Sequence, residues 1–178
     1  HHPAELNEVI SAVANLDALS CLTKESAKKT MQGYLLFSPT DMNDFLKLHL
    51  FKKGWTKPAK DKKKKFAEPR HAFGKGHFRE MDGIKNKVGL EIQFGKYAFM
   101  GYDIFSKMII FKNLGLIECG IEVVPSAHLM QEMSTGVSSF AQILIDFKYR
   151  GESNIDIPVF VLGIDLTAEE ETRSQKLR

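Results

Sequence analysis

The sequence predicts an α/β chain, a mixed central sheet flanked by helices behind an α-helical N-terminal portion. Three observations predict it. Apolar residues in the first third recur at the spacing of one helix face, and residues 88–94 alternate strictly between apolar and polar. From residue 97 onward, a helix-length apolar run and further helical stretches alternate with short β-branched runs. A length of 178 residues and a mass of 20.1 kDa suit one domain over 1–178.

The elements follow in order. Residues 4–19 place Leu6, Val9, Ile10, Val13, Leu16 and Leu19 on one helical face. A second, polar helix is expected from Thr23 to Gly33. Ser38 and Pro39 then offer a cap and a first-turn proline for a third helix that ends at Gly54. Between Trp55 and Glu80 the prolines, glycines and lysines give no period, so residues 56–80 read as a divergent basic surface loop. Residues 81–84 and 88–94 form a hairpin about Asn86, with Leu90, Ile92 and Phe94 on its core face. Residues 97–112 read as a buried helix, 116–124 as a central strand, 127–133 and 138–148 as helices, and 157–164 as a last buried strand. The charged tail from Thr167 is expected to fray.

Composition excludes several classes. Hydrophobic residues make up 43% and charged residues 26%, so neither a disordered chain nor a fibrous repeat fits. No apolar stretch is long enough for a membrane span, and no secretory signal opens the chain. Cys21 and Cys119 are too few for a disulfide framework and read as buried free thiols of a reducing compartment. His49, His71, His77 and His128 lack metal-binding spacing. Phe99, Tyr102, Phe105 and Phe111 recur at helical spacing and read as core. The net charge of +3 hides a segregation: residues 52–65 hold eight Lys and one Asp, and the remainder carries a net of −4.

Asp82, Glu91 and Gln93 carry the chemistry. Glu91 and Gln93 leave the same face of a strand. Asp82, nine residues before Glu91 across a tight turn, folds back beside it. Two carboxylates on one polar face suit a hard divalent cation such as Mg²⁺, which keeps several waters and shares its shell with phosphate oxygens. The same spacing also fits a solvent-facing strand with an Asp near its turn.

Leu90-Glu91-Ile92-Gln93-Phe94-Gly95-Lys96-Tyr97, followed by Phe99 and Tyr102-Asp103, resembles the core of the type II restriction endonucleases of the BglII and BstYI group, nearest to the BstYI type. Ordered blocks outside it carry the same resemblance: residues 21–26, Gln32-Gly33, Ser38-Pro39, residues 53–55, residues 132–138 and residues 158–164. The similarity reaches back toward His1, which favours a natural fragment over a tag remnant. The resemblance implies a PD-(D/E)xK nuclease core in which Gln93 replaces the usual Lys. Asp82, Glu91 and the Ile92 carbonyl would hold Mg²⁺, with Mn²⁺ as a substitute, and Gln93 would orient the attacking water. A further polar group from upstream is expected, with Asp44, Glu68 and Glu80 as candidates. It also implies a homodimer that cuts a short palindrome in double-stranded DNA, GATC-centred (RGATCY- or AGATCT-like), leaving 5′ overhangs, in a prokaryotic cytoplasm. The alternatives are a DNA-binding module without catalysis and a nuclease domain of a larger DNA-processing enzyme.

For DNA contact, the resemblance places Lys96 at major-groove base edges, where an ammonium can donate to guanine O6 and N7. Ser134, Thr135 and Ser138 surround Gly136 in a small polar loop, and Arg150 precedes Gly151. Lys62 and Lys63, in the lysine run, suit sequence-independent phosphate contacts.

Overall fold

The computed structural model describes residues 1–27, 29–58, 66–151 and 155–177. Helix α1 (Pro3–Ala14) starts on a proline and buries Val9 and Ala12. It stops short of the expected residue 19. The Asn15 side chain turns back to the Ser11 carbonyl, and Asp17 caps a separate 3₁₀ turn, Ala18–Cys21, so both compete with the helix for its backbone groups. The expected second helix does not form. The short strands β1 (Lys24–Glu25) and β2 (Leu35–Leu36) pair there instead, because the polar stretch has no apolar face to bury while Leu36 does reach the core. Helix α2 (Pro39–Phe51) follows its sequence signals: the Ser38 hydroxyl accepts from the Asp41 amide, and Met42, Leu46 and Leu50 face inward.

The described residues of 56–80 (59–65 lie outside them) are not an irregular loop. They contain β3 (Lys57–Pro58) paired with β4 (Phe66–Ala67), and an exposed ribbon of β5 (Arg70–Gly74) and β6 (His77–Glu80). The ribbon turns at Gly74 and Gly76, both at positive φ (148° and 81°), and its exposure left no apolar alternation to read.

The central sheet has the order β10–β9–β8–β7. Strand β7 (Gly83–Lys85) meets β8 (Val88–Ile92) as a two-residue hairpin whose turn residues Asn86 and Lys87 both take positive φ (46° and 67°). Strands β9 (Cys119–Pro125) and β10 (Val159–Ile164) add in parallel, which makes the sheet mixed as expected. The crossover from β8 to β9 is one long helical segment: α3 (Tyr97–Tyr102), a π-helical turn (Asp103–Lys107) and α4 (Met108–Asn113). Helices α5 (Ala127–Gln131) and α6 (Phe140–Arg150) lead to β10, an edge strand that leaves Phe160 exposed rather than the buried strand expected. The charged tail does not fray. It forms α7 (Ala168–Leu177), started by a reciprocal bond pair between Thr167 and Glu170 and docked through Glu170 on the Ala18 amide.

The sheet's two faces differ. Leu90 and Ile92 lie beside Ile121 and Val123 in register and pack with α1 and α2. On the other face Gly89 is registered with Gly120, and Glu91 with Glu122. A Cβ on Gly89 would come 2.7 Å from the Met81 sulfur, while one on Gly120 would meet the Met108 sulfur, so Gly120 lets α4 press onto the sheet. That contact sets the helix over the acidic pair one register step further on.

Candidate active site

Asp82 follows the ribbon and precedes β7, while Glu91 sits inside β8. The hairpin brings both to a cleft of about 230 Å³, with Ile92, Gln93, Asp103 and Lys107 on its walls. Asp82 is fixed twice: one oxygen accepts from the Ile92 amide at 2.7 Å, and the other lies 2.7 Å from the Lys47 ammonium. Lys47, from α2, also reaches Glu68 at 2.7 Å. Glu91 is not on a solvent face as its strand alternation suggested. It is only 5% exposed, because the α3–α4 segment covers that side of β8. Its Oε1 lies 2.8 Å from Nζ of Lys107, whose other partner is Asp103 at 2.6 Å. The Gln93 amide is engaged at both ends: Nε2 donates to Asp103 at 3.1 Å, and Oε1 accepts from the Gly95 amide at 2.8 Å.

Electrostatics follow from this crowding. Burial and then the charge of Asp82 push the Glu91 carboxyl well above its ordinary pKa, more than Lys107 brings it down. Asp103 is raised in the same way, by burial first. Glu122 is wholly buried with no partner for either oxygen, and burial, then Asp103 and Glu91, favour its neutral acid form. Burial opposes the charge on Lys47 and Lys107, yet their carboxylate partners more than offset it, and both ammonium groups are held above the ordinary lysine range. With Glu122 neutral, the carboxylates of Glu68, Asp82, Glu91 and Asp103 face two ammonium groups. The donor chemistry fits a hard divalent cation: the cleft offers oxygen ligands from Asp82, Glu91 and Gln93. Among the described residues no three His, Cys, Asp or Glu side chains form a cage of their own.

A second concavity, also about 230 Å³, brings Lys96, Ser134 and Thr135 together and adds Lys24 and Thr40 from the N-terminal portion. Lys96 bridges Val137, and the Ser138 amide donates to the Gly95 carbonyl, so this loop is stitched to the end of the catalytic strand. Ser138 itself is fully buried and donates to the Gln93 carbonyl at 3.2 Å, a strut beneath the loop rather than part of its surface. Arg150 lies apart, at the end of α6, stacked 3.8 Å from the Phe105 ring. Lys62 and Lys63 lie outside the described residues. Of the upstream candidates, Glu68 reaches the site through Lys47, Glu80 is paired with Arg70, and Asp44 sits one turn before Lys47 on α2.

The sequence profile of the restriction endonuclease BglII/BglIII family matches residues 1–164. The chain belongs to that family. As a BglII-family member it is a type II restriction endonuclease, a DNA-cleaving enzyme. The crystal structure of restriction endonuclease BglII complexed with a DNA 16-mer has the same fold: TM-score 0.72 and 18% identity, over 93% of this chain and 72% of that one. No curated protein sequence matches. The PD-(D/E)xK architecture anticipated from the sequence is therefore present in this BglII-family chain. Sequence reasoning missed Lys47, Asp103, Lys107 and Glu122. A signal existed for three of them: Asp103 and Lys107 interrupt an otherwise apolar helix, and Glu122 interrupts a β-branched strand.

Proposed function

We propose that this BglII-family enzyme is a homodimer that hydrolyses phosphodiester bonds in double-stranded DNA at a short GATC-centred palindrome, RGATCY- or AGATCT-like, leaving 5′ overhangs, with Mg²⁺ or Mn²⁺ at Asp82, Glu91 and the Ile92 carbonyl. The observation that carries it is the meeting of Asp82 and Glu91 in one cleft, each held by an ammonium group. Held by these residues, a divalent cation would supply Lewis acidity, polarising the phosphodiester and easing loss of a proton from water. Asp82 and Glu91 hold the reacting phosphate's counter-charge, their geometry fixed by the Ile92 amide and by Lys107. Gln93 orders the site by tying Gly95 to Asp103, which leaves the orientation of water to the groups around it.

Base edges would be read from the Lys96, Ser134 and Thr135 concavity, one stitched turn from the cleft. Arg150, Lys62 and Lys63 would neutralise phosphates. Exposed Leu144, Ile145 and Tyr149 on α6 give a second copy an apolar surface to cover, and a two-fold dimer matches a palindrome with one site per strand. No helix among the described residues is long and apolar enough to cross a membrane. The reading places residues 1–178 in one catalytic domain acting in a prokaryotic cytoplasm, nearest in specificity to the BstYI type.

Digestion of plasmid DNA with Mg²⁺, followed by sequencing of the ends, tests this. Asp82→Ala and Glu91→Ala should bind duplex without cutting it, and the protein should sediment as a dimer. Wild-type protein that leaves every duplex intact with Mg²⁺ and Mn²⁺, or variants that still cut, would sink the reading.

A further inference from the structure

We propose that Lys107 is a catalytic residue of this site, its ammonium contacting the scissile phosphate and offsetting the negative charge that builds there during hydrolysis. The inference rests on the active-site reading above. In the reaction a water oxygen bonds to phosphorus while the bond to the leaving oxygen breaks with its electron pair. The water's proton is released, and the leaving oxygen takes up a proton. Lys107 transfers nothing in this step and acts as a fixed positive charge beside the phosphoryl oxygens, where a preorganised cation in a shielded cleft is most effective.

Four observations point to it. First, Lys107 is the one cationic side chain among the described residues lining the cleft, where the hairpin and its flanks offer only the carboxylates of Asp82 and Glu91 and the neutral Gln93. Lys47 does not line the cleft; it is pinned behind Asp82 between that residue and Glu68. Second, Lys107 has an anchor independent of the metal-ligand pair. Asp103 holds its ammonium at 2.6 Å, Gln93 holds Asp103 at 3.1 Å, and the Gly95 amide holds Gln93 at 2.8 Å. When Glu91 turns toward a cation, this chain keeps the ammonium in place. Third, the next residue is Met108, whose fully buried side chain rests where a Cβ on Gly120 would lie, so the backbone that carries Lys107 is locked to the sheet floor. Fourth, Lys107 ends the π-helical turn that begins at Asp103, a local departure from α-geometry of the kind that gathers at functional sites.

The test compares Lys107→Gln and Lys107→Arg with the wild type, first by affinity in chelator, without catalysis. Two duplexes are used, one natural and one with an uncharged methylphosphonate at the cleavage position found by end sequencing. The ratio of affinities, charged over uncharged, should fall about tenfold in Lys107→Gln and stay within about threefold of wild type in Lys107→Arg. Single-turnover cleavage should fall about 100-fold or more in Lys107→Gln, with Mn²⁺ affinity retained. If Lys107→Gln does not fold, Asp103→Asn replaces it, which frees the ammonium without removing it and should lower the same ratio. An unchanged ratio in a folded Lys107→Gln or Asp103→Asn protein, with wild type cutting normally, overturns this proposal alone. A wild type that cuts no duplex overturns the active-site reading, and this proposal with it.

Discussion

Glu122→Gln should remove one pH-dependent contribution to the metal-free protein's stability, so that the variant's stability falls less steeply with rising pH than the wild type's. Glu122 is sealed on β9 beneath the helical cover, neither oxygen has a partner, and burial raises its pKa well above 4.5. An unfolded chain releases this proton near the ordinary value, whereas the folded protein keeps it to higher pH. Stability is therefore fully present below about pH 4.5 and is lost as pH rises, until the folded pKa is passed. One proton held in this way costs about 1.4 kcal/mol for each pH unit in that window. Over two units inside it, wild type should lose about 2.7 kcal/mol relative to the variant. Gln has nearly the same shape and no proton to release. Any cost of its buried amide, about 1–3 kcal/mol, is constant with pH and shifts the whole curve without tilting it. Urea denaturation in chelator, followed by fluorescence of the single tryptophan, buried Trp55, reads the difference at successive pH values from 5 upward. Parallel stability curves for the two proteins would refute the assignment of Glu122 as a buried neutral acid.

Other outcomes follow from packing and turn geometry. Gly120→Ala should destabilise by about 1–3 kcal/mol in thermal or urea unfolding, since its Cβ overlaps the buried Met108 sulfur. Lys47→Met removes the shared partner of two half-buried carboxylates and should cost about 3 kcal/mol at neutral pH, read by urea denaturation. Asn86→Ala leaves alanine at φ 46°, a conformation that asparagine tolerates better, and removes the 2.7 Å bond to Glu5, so about 1–2 kcal/mol should be lost. Neutralising Lys62 to Lys65 should lower duplex affinity evenly across sequences and flatten its salt dependence, measured by anisotropy titrations at several salt concentrations.

How much of this was legible in the sequence depended on how local the signal was. The hairpin about Asn86 was readable because turn chemistry and two-residue alternation are properties of neighbouring residues. So was the start of α2, where Ser38 and Pro39 announce it. The alternation at 88–92 gave the correct faces but the wrong exposure: period two says which side chains share a face, and only the β8–β9 crossover decides that both faces are covered. Helix α7 was misjudged because its charged face hid a Thr167–Glu170 cap that matters only once it docks near Ala18. Lys47 was unreadable for a similar reason. On its own helix it is an ordinary polar-face lysine, and its partners lie 21 and 35 residues away. The ribbon at 70–80 had no buried face to set a period, so nothing separated it from a loop.

The site and the core are two halves of one helical segment, and this explains why a sheet this small can hold so many buried charges. Beneath the segment, Gly89 and Gly120 form one register row and Glu91 and Glu122 the next. Over the glycine row the helix meets the sheet through Met108, with Phe111 buried alongside it, contacts that are wholly apolar. Over the acidic row it brings Asp103 and Lys107. The cost of burying those charges is met by packing that begins at the very next residue, so the backbone that carries Lys107 cannot move without lifting Met108 from its notch. A change confined to the glycine row should therefore reach the chemistry. Gly120→Ala should weaken cleavage along with stability even at temperatures where it remains folded, whereas a core change of equal cost on the α1–α2 face, such as Leu46→Ala, should lower stability and leave the cleavage rate of folded protein unchanged.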